Sequence, residues 1–167
     1  MNKLSIKKTT VDDLENVMKL WNDGDVMKYV GFPNGLNVTI EKLERWLVGI
    51  NTNKNREHYS IFEETMGYCG ETYYHVDEHG YAALDIKLLS HARARNIAYE
   101  ALYFAIDAAF KQANAQFVYV DPHPNNSKAW SLYKKLGFIQ SVKPSHLDVA
   151  DTYQQISKKQ WCESFEL

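Results

Sequence analysis

The sequence predicts a layered α/β (α+β) fold: a mixed central sheet with helices on both faces. Three observations lead there. Apolar residues switch repeatedly between a two-residue and a 3.6-residue period, giving the order β-α-α-β-β-β-α-β-α-β-β. Three strand-like runs between residues 59 and 89 follow one another with only short polar breaks, which reads as an antiparallel meander. A compact apolar strand then follows a helix whose packing residues are small, the pattern of a parallel strand-helix-strand crossover. At 167 residues the chain suits one domain that buries roughly two-thirds of its unfolded surface. With 45% apolar and 13% aromatic residues, it has the material for a packed core rather than a disordered segment. No internal repeat or linker divides it, so one domain over residues 1–167 is expected.

The elements follow in order. Leu4 and Ile6 alternate with polar neighbours as a short first strand, after which Thr10 caps a helix carrying Leu14, Val17, Met18 and Trp21 on one face. Gly24, Gly31, Pro33 and Gly35 interrupt the next stretch. There Val26, Met27, Tyr29, Val30 and Phe32 add apolar bulk suited to lining a substrate cleft. Thr39 opens a second helix with Leu43, Trp46 and Leu47 at helical spacing, and residues 51–57 form a polar loop. Tyr59 to Phe62, Met66 to Tyr74 and Tyr81 to Leu89 are strands, the last two joined by a turn at Asp77-Glu78-His79-Gly80. Ile97 to Phe110 is a helix, Phe117 to Val120 a buried strand, and Asn126 to Leu136 a helix ended by Gly137. Phe138 to Val142 and Val149 to Ile156 supply the final strands.

Bulk properties narrow the function classes. A formal charge of −2, without a basic stripe interleaved with aromatics, disfavours nucleic acid as partner. Cys69 and Cys162 stand far apart in sequence, in no metal-ligand spacing, so both read as ordinary thiols and no metal site is expected. The N-terminal residues lack the apolar core of a secretion signal and no run approaches a membrane span. A cytoplasmic location, with no membrane partner, is the expectation.

The segment Arg93-Ala94-Arg95-Asn96-Ile97-Ala98 lies between a strand and a helix. Unpaired N–H groups at that helix start invite an anion, two arginines add charge, and Ala94, Asn96 and Ala98 keep bulk away. These are the needs of a diphosphate cradle. No phosphate-binding G-x-x-x-x-G-K-[ST] or G-x-G-x-x-G occurs to compete with it. The segment resembles the pyrophosphate motif of the GNAT N-acetyltransferases, Gln/Arg-x-x-Gly-x-Gly/Ala, with Arg93 first, Asn96 where the family has glycine, and Ala98 last. Asparagine is the residue after glycine that best tolerates a left-handed backbone, so the loop keeps its shape while phosphate approaches less closely. Further on, Asn126-Ser127-Lys128-Ala129-Trp130-Ser131-Leu132-Tyr133-Lys134-Lys135-Leu136-Gly137-Phe138 is similar to the family pattern Asn-x-x-Ala-x-x-Leu-Tyr-x-x-x-Gly-Phe at every specified position.

The resemblance implies a sheet of about seven strands splayed in the middle, acetyl-CoA as cosubstrate, and transfer of its acetyl group directly to a primary amine. Carried over by position, it assigns backbone contacts with the pantetheine to Ile86 and Leu88. Pyrophosphate falls to Arg93, Ala94, Arg95, Asn96, Ile97, Ala98 and Tyr99, and the pantetheine arm or acetyl end to Asn126 and Tyr133. Tyr133, protonated at neutral pH, is the expected proton donor to the leaving thiolate. For the base, the polar residues in buryable strands are Glu71, the first choice, and Asp85, with Asp121 at the end of the strand after the long helix; His91 and His123 flank the site. The acceptor is an amine of a small molecule or peptide that these residues do not identify further, and a homodimer stays open. Asn96 in place of glycine also motivates a rival reading, a non-catalytic acyl-CoA-binding or sensing module, and the paired arginines a weaker one, a different donor such as succinyl-CoA.

Overall fold

The computed structural model describes residues 3–165. β1 (Leu4–Lys8), β2 (Arg56–Glu63), β3 (Gly67–Val76) and β4 (Tyr81–Leu88) form the antiparallel meander, β4 pairs in parallel with β5 (Phe117–Val120), and β7 (Gln154–Ser157) lies between β5 and β6 (Ile139–Gln140). The strand order is β1-β2-β3-β4-β5-β7-β6. The parallel pair sits where the sequence predicts it, because α4 (Ile97–Lys111) carries the chain back across the sheet between β4 and β5. Ala101, Ala105, Ala108 and Ala109 are at most 3% exposed and let this helix lie close on β3 and β4.

Strand alternation sorts the side chains into two faces. Tyr59, Tyr74, Ala82 and Leu84 turn toward α4 and join the main core with Leu102, Ile106, Val118 and Val120. His58, Ser60, Glu71, Tyr73, Asp85 and Lys87 share the other face by register, which is covered by α1 (Leu14–Trp21) and α3 (Ile40–Asn51). Those two helices close a small core of their own through Leu14, Val17, Leu43 and Leu47. Helices on both faces, as expected, thus leave a polar strip beneath α1 and α3.

The differences from the sequence expectation are local. Before α1 the chain makes one tight 3-10 turn (Val11–Asp13), with the Asp13 carboxylate accepting from the Thr10 N–H at 2.9 Å. The expected strand over 138–142 shrinks to two residues, and the one over 149–156 begins only at Gln154; between them the chain stays irregular and largely exposed. A short helix, α2 (Gly24–Met27), occupies the glycine-rich stretch, and after α5 (Ser127–Lys135) a further helix, α6 (Lys158–Phe165), closes the described chain. Trp161 of α6, 1% exposed, packs against Tyr103 and Phe110 of α4. Among the described residues, no helix is long and apolar enough to cross a membrane.

Candidate active site

The site begins where the sheet comes apart. β4 and β5 pair only at Tyr81 with Phe117, Ala82 with Val118 and Ala83 with Tyr119, yet β4 continues to Leu88. The Asp77 N–H donates to the Tyr81 carbonyl and the Leu89 N–H to the Cys69 carbonyl, both at 2.9 Å. In an antiparallel pair, main-chain groups alternate in direction, so odd-numbered residues of β4 bond to β3 and even-numbered ones point away. Leu84, Ile86 and Leu88 therefore turn their N–H and C=O groups into the gap that β5 has left. Unpaired strand edges attract other strands, and side chains cover this one. The Ile86 N–H donates to Asp85 Oδ1 at 2.8 Å, and Arg93 Nε donates to the Leu88 carbonyl at 3.1 Å. An extended ligand laid along β4 exchanges these contacts for its own.

At the open end of the gap the chain turns into α4 through a concave backbone. Ala94 has φ 59° and Asn96, the residue before the helix, φ 64°. Left-handed residues alternating along a short run curl the backbone so that successive N–H groups converge, a recognised anion-binding form. Among the described residues, none of the N–H groups from Ala94 to Tyr99 donates to a protein acceptor. The asparagine at 96 thus adopts the conformation for which the sequence suggests it, and the alanine at 94 adopts one that nothing in the sequence announces. Arg93 reaches away from this cradle, its Nη1 donating to Asp25 Oδ2 at 2.6 Å. Arg95 lies on a groove of about 410 Å³ shared with Asn96, Ile97 and Glu100. Lys135 Nζ stands over the Tyr99 ring at 4.5 Å.

On the α1/α3 face, beside Asp85, is a pocket of about 180 Å³ lined by Trp21, Trp46, Ile50, Arg56, His58, Glu71, Tyr73, Asp85 and Lys87. Glu71, 3% exposed, is saturated with donors: Trp21 Nε1 at 2.8 Å, His58 Nε2 at 2.8 Å, and Lys87 Nζ at 3.5 Å. Since an ionised carboxylate only accepts, His58 Nε2 carries a proton, and its Nδ1 lies 2.7 Å from Thr9 Oγ1. Burial pushes the Glu71 carboxyl up. The charge and hydrogen bond of His58, with Lys87 and the Trp21 indole, outweigh this and hold it at about 2, far below the usual 4.5. Burial likewise depresses Lys87, but Asp85 and Glu71 more than reverse it and the ammonium stays charged. Asp85 differs from Glu71 in exposure, its side chain 38% exposed against 4%.

Tyr133 is held by the core rather than by hydrogen bonds. Its ring centroid is 5.6 Å from that of Phe138 and the residue is 7% exposed; among the described residues no group bonds its hydroxyl. Burial above all, then the negative charges of Asp85 and Asp121, raises its phenol well above the usual range. Asn126 caps α5, its Oδ1 accepting from the Ala129 N–H at 3.2 Å, which leaves its amide nitrogen for other contacts. Asp121 accepts from the Ala150 N–H on the exposed side of its loop, and His91 Nε2 lies 3.2 Å from the Tyr68 carbonyl, apart from the pocket. His123 meets Tyr29 with ring centroids 5.6 Å apart, linking the segment after α2 to the loop before α5. That segment is pinned at its base. Asn22 bonds both the N–H and C=O of Val38, and Gly35, at φ 77°, would drive a Cβ to 2.2 Å from the Asn22 carbonyl oxygen.

The sequence alone nominates Glu71, Asp85, Tyr133 and residues 93–99, but not the company Glu71 keeps. Trp21 and Trp46 look like helix packing residues, and His58 and Arg56 fall at the edge of an expected polar loop. The usable signal was the alternation itself: His58 and Ser60 are polar residues on alternate positions of an otherwise buried strand, as Glu71 and Tyr73 are on β3.

A family model described as an acetyltransferase (GNAT) domain matches residues 3–139. No curated protein matches the chain. Among solved structures, the chain is similar to the spermidine N-acetyltransferase of Vibrio cholerae in complex with CoA and spermine, with a TM-score of 0.79 at 18% identity over 95% of this chain and 97% of that one. A domain from Methanocaldococcus jannaschii DSM 2661 is similar with a TM-score of 0.74 at 15% identity, covering 94% of this chain and 99% of that one. At these identities the structural likeness speaks for the fold.

Proposed function

The chain belongs to the GNAT acetyltransferase family, and we propose that it transfers the acetyl group of acetyl-CoA directly to a primary amine seated in the pocket of Trp21, Trp46 and Tyr73. The observation that carries this reading is the free edge of β4. Its even-numbered residues face the gap a few residues before an N–H cradle, the order in which an extended arm ending in a diphosphate would meet them. Acetyl-CoA supplies the acetyl group as an activated thioester. In this reading Ile86 and Leu88 pair with the pantetheine, the N–H groups from Ala94 to Tyr99 hold the pyrophosphate, and Arg93 turns from Asp25 to join them.

Tyr133 and Asp85 then divide the proton chemistry. The amine nitrogen bonds to the acetyl carbon as the carbon–sulfur bond breaks. Tyr133 gives its phenolic proton to the departing sulfur, a role that fits a phenol kept protonated by burial. Asp85, the more exposed carboxylate beside the gap, takes the proton lost by the amine through water, and solvent returns a proton to Tyr133. Glu71 has a positioning role: with its oxygens held by Trp21, His58 and Lys87, it fixes Lys87, which in turn fixes Asp85.

Calorimetric titration with acetyl-CoA, with CoA, and with an adenine nucleotide lacking the pantetheine arm tests the cosubstrate. Release of CoA thiol on adding amines tests the transfer. Micromolar binding that requires the pantetheine arm, with amine-dependent thiol release, is expected. Binding without turnover on a broad amine panel marks a sensing module instead, and no binding refutes the reading.

A further inference from the structure

The charges lining the pocket constrain the acceptor itself, given the acetyl-transfer reading above. Two carboxylates and two permanently charged cations face it: Glu71, Asp85, Lys87 and Arg56. Three of the four are already partnered, since Lys87 bridges Glu71 and Asp85, and Glu71 also accepts from His58 Nε2. Arg56 is different. Among the described residues no ion pair joins it to a carboxylate, and its Nε is buried with no hydrogen-bond partner. A buried guanidinium donor left unpaired is costly, and a guanidinium fork matches a carboxylate in shape as well as charge. Trp21, Trp46 and Tyr73 supply apolar walls beside it. The volume of about 180 Å³ holds roughly six waters, so the group that enters is small.

We propose that the acceptor is a small primary amine that also carries a carboxylate, with the carboxylate bound by Arg56, the carbon chain lying against the aromatic walls, and the amine directed to Asp85 at the edge of the β4–β5 gap. A diamine or polyamine fits this pocket poorly. Its second ammonium meets Arg56, and no unpaired carboxylate remains to receive it.

The test compares acetyl transfer to α- and ω-amino carboxylates, to α,ω-diamines of matched length and to neutral monoamines, with acceptor binding followed in parallel by calorimetry. In the wild type, the preferred amino carboxylate exceeds its matched diamine in kcat/KM by about tenfold or more. Arg56→Gln lowers kcat/KM for amino carboxylates by about ten- to a hundredfold, the range for a hydrogen bond to a charged group. Neutral monoamines lose clearly less than amino carboxylates, the affinity for acetyl-CoA stays within twofold, and Arg56→Lys recovers part of the loss. Preference for diamines, an equal loss for all three acceptor series in Arg56→Gln, or failure of every amino carboxylate to bind overturns the inference. Amino carboxylates that bind in an Arg56-dependent way without any release of CoA thiol leave the acceptor class standing and refute acetyl transfer.

Discussion

Removing one oxygen from Tyr133 separates its chemistry from its packing. In Tyr133→Phe the ring keeps its contact with Phe138, and because no described protein group bonds the hydroxyl, no partner is orphaned. Stability should therefore change by no more than about 1 kcal/mol. Catalysis should respond far more, since a positioned general acid is worth about 10²- to 10⁴-fold. A thiolate leaves more readily than an amine or alkoxide, so the lower end applies: a fall in kcat of about a hundredfold, or roughly 2.7 kcal/mol in the barrier. The assay is thiol release under saturating acetyl-CoA and amine, with acetyl-CoA affinity measured separately by calorimetry. Affinity should stay within twofold. Because burial and the neighbouring carboxylates raise the phenol, ionisation of Tyr133 removes no activity as pH climbs through the ordinary tyrosine range. A kcat within threefold of wild type, or equal losses in kcat and acetyl-CoA affinity, refutes the assignment and makes Tyr133 a packing residue.

Arg93→Ala should weaken acetyl-CoA binding by about ten- to a hundredfold, with kcat at saturation nearly preserved; calorimetry beside steady-state kinetics separates the two. Asp25→Asn should act in the opposite sense. It frees Arg93 from an exposed, solvent-screened ion pair, so acetyl-CoA should bind a few-fold more tightly in the same titration. Glu71→Gln should destabilise the protein in a pH-dependent way. The folded carboxyl sits at about 2 against an ordinary 4.5, so wild type holds its advantage above pH 4.5 and loses it as pH falls toward 2. Chemical denaturation of both proteins across that range follows the convergence; a constant gap would mean that Glu71 contributes by shape alone.

What the sequence disclosed follows from how far each signal reaches along the chain. The meander, the crossover and the cradle are local: alternation over six to ten residues, small residues at helical spacing, a helix start with arginines beside it. The α6 helix, outside the sequence expectation, carries an equally local signal. Ser157 and Gln160 form a reciprocal cap, with the Ser157 N–H bonding Gln160 Oε1 and the Gln160 N–H bonding Ser157 Oγ, the pattern of a serine followed three residues later by glutamine. Trp161 and Phe165 then fall one turn apart. The final strands misled because Val142 reads as a strand residue yet is 94% exposed, with nothing to cover it. The Glu71 cluster lay beyond any local signal. Thr9, Trp21, His58, Glu71 and Lys87 come from four elements and the loop after β1, and only register joins them.

That register also explains why the gap and the pocket adjoin. Along β4, side chains alternate between faces while main-chain groups alternate between neighbouring strands. Odd-numbered positions therefore bond to β3 and present Asp85 and Lys87 to the α1/α3 face, whereas even-numbered ones face the gap with their backbone and the core with their side chains. Ending the β5 pairing at Ala83 exposes even-numbered backbone immediately beside odd-numbered side chains. A cosubstrate paired to Ile86 and Leu88 thus lies within one residue of the carboxylate and ammonium that border the acceptor pocket. A one-residue slip of β4 against β3 would exchange the two sets, turning Ile86 toward the pocket and Asp85 into the core. The Glu71–Lys87–Asp85 chain, bonded across that pair, opposes the slip. By this argument the same three charges that prepare the acceptor pocket also hold the cosubstrate edge in register, and a substitution at Lys87 should disturb both binding steps together.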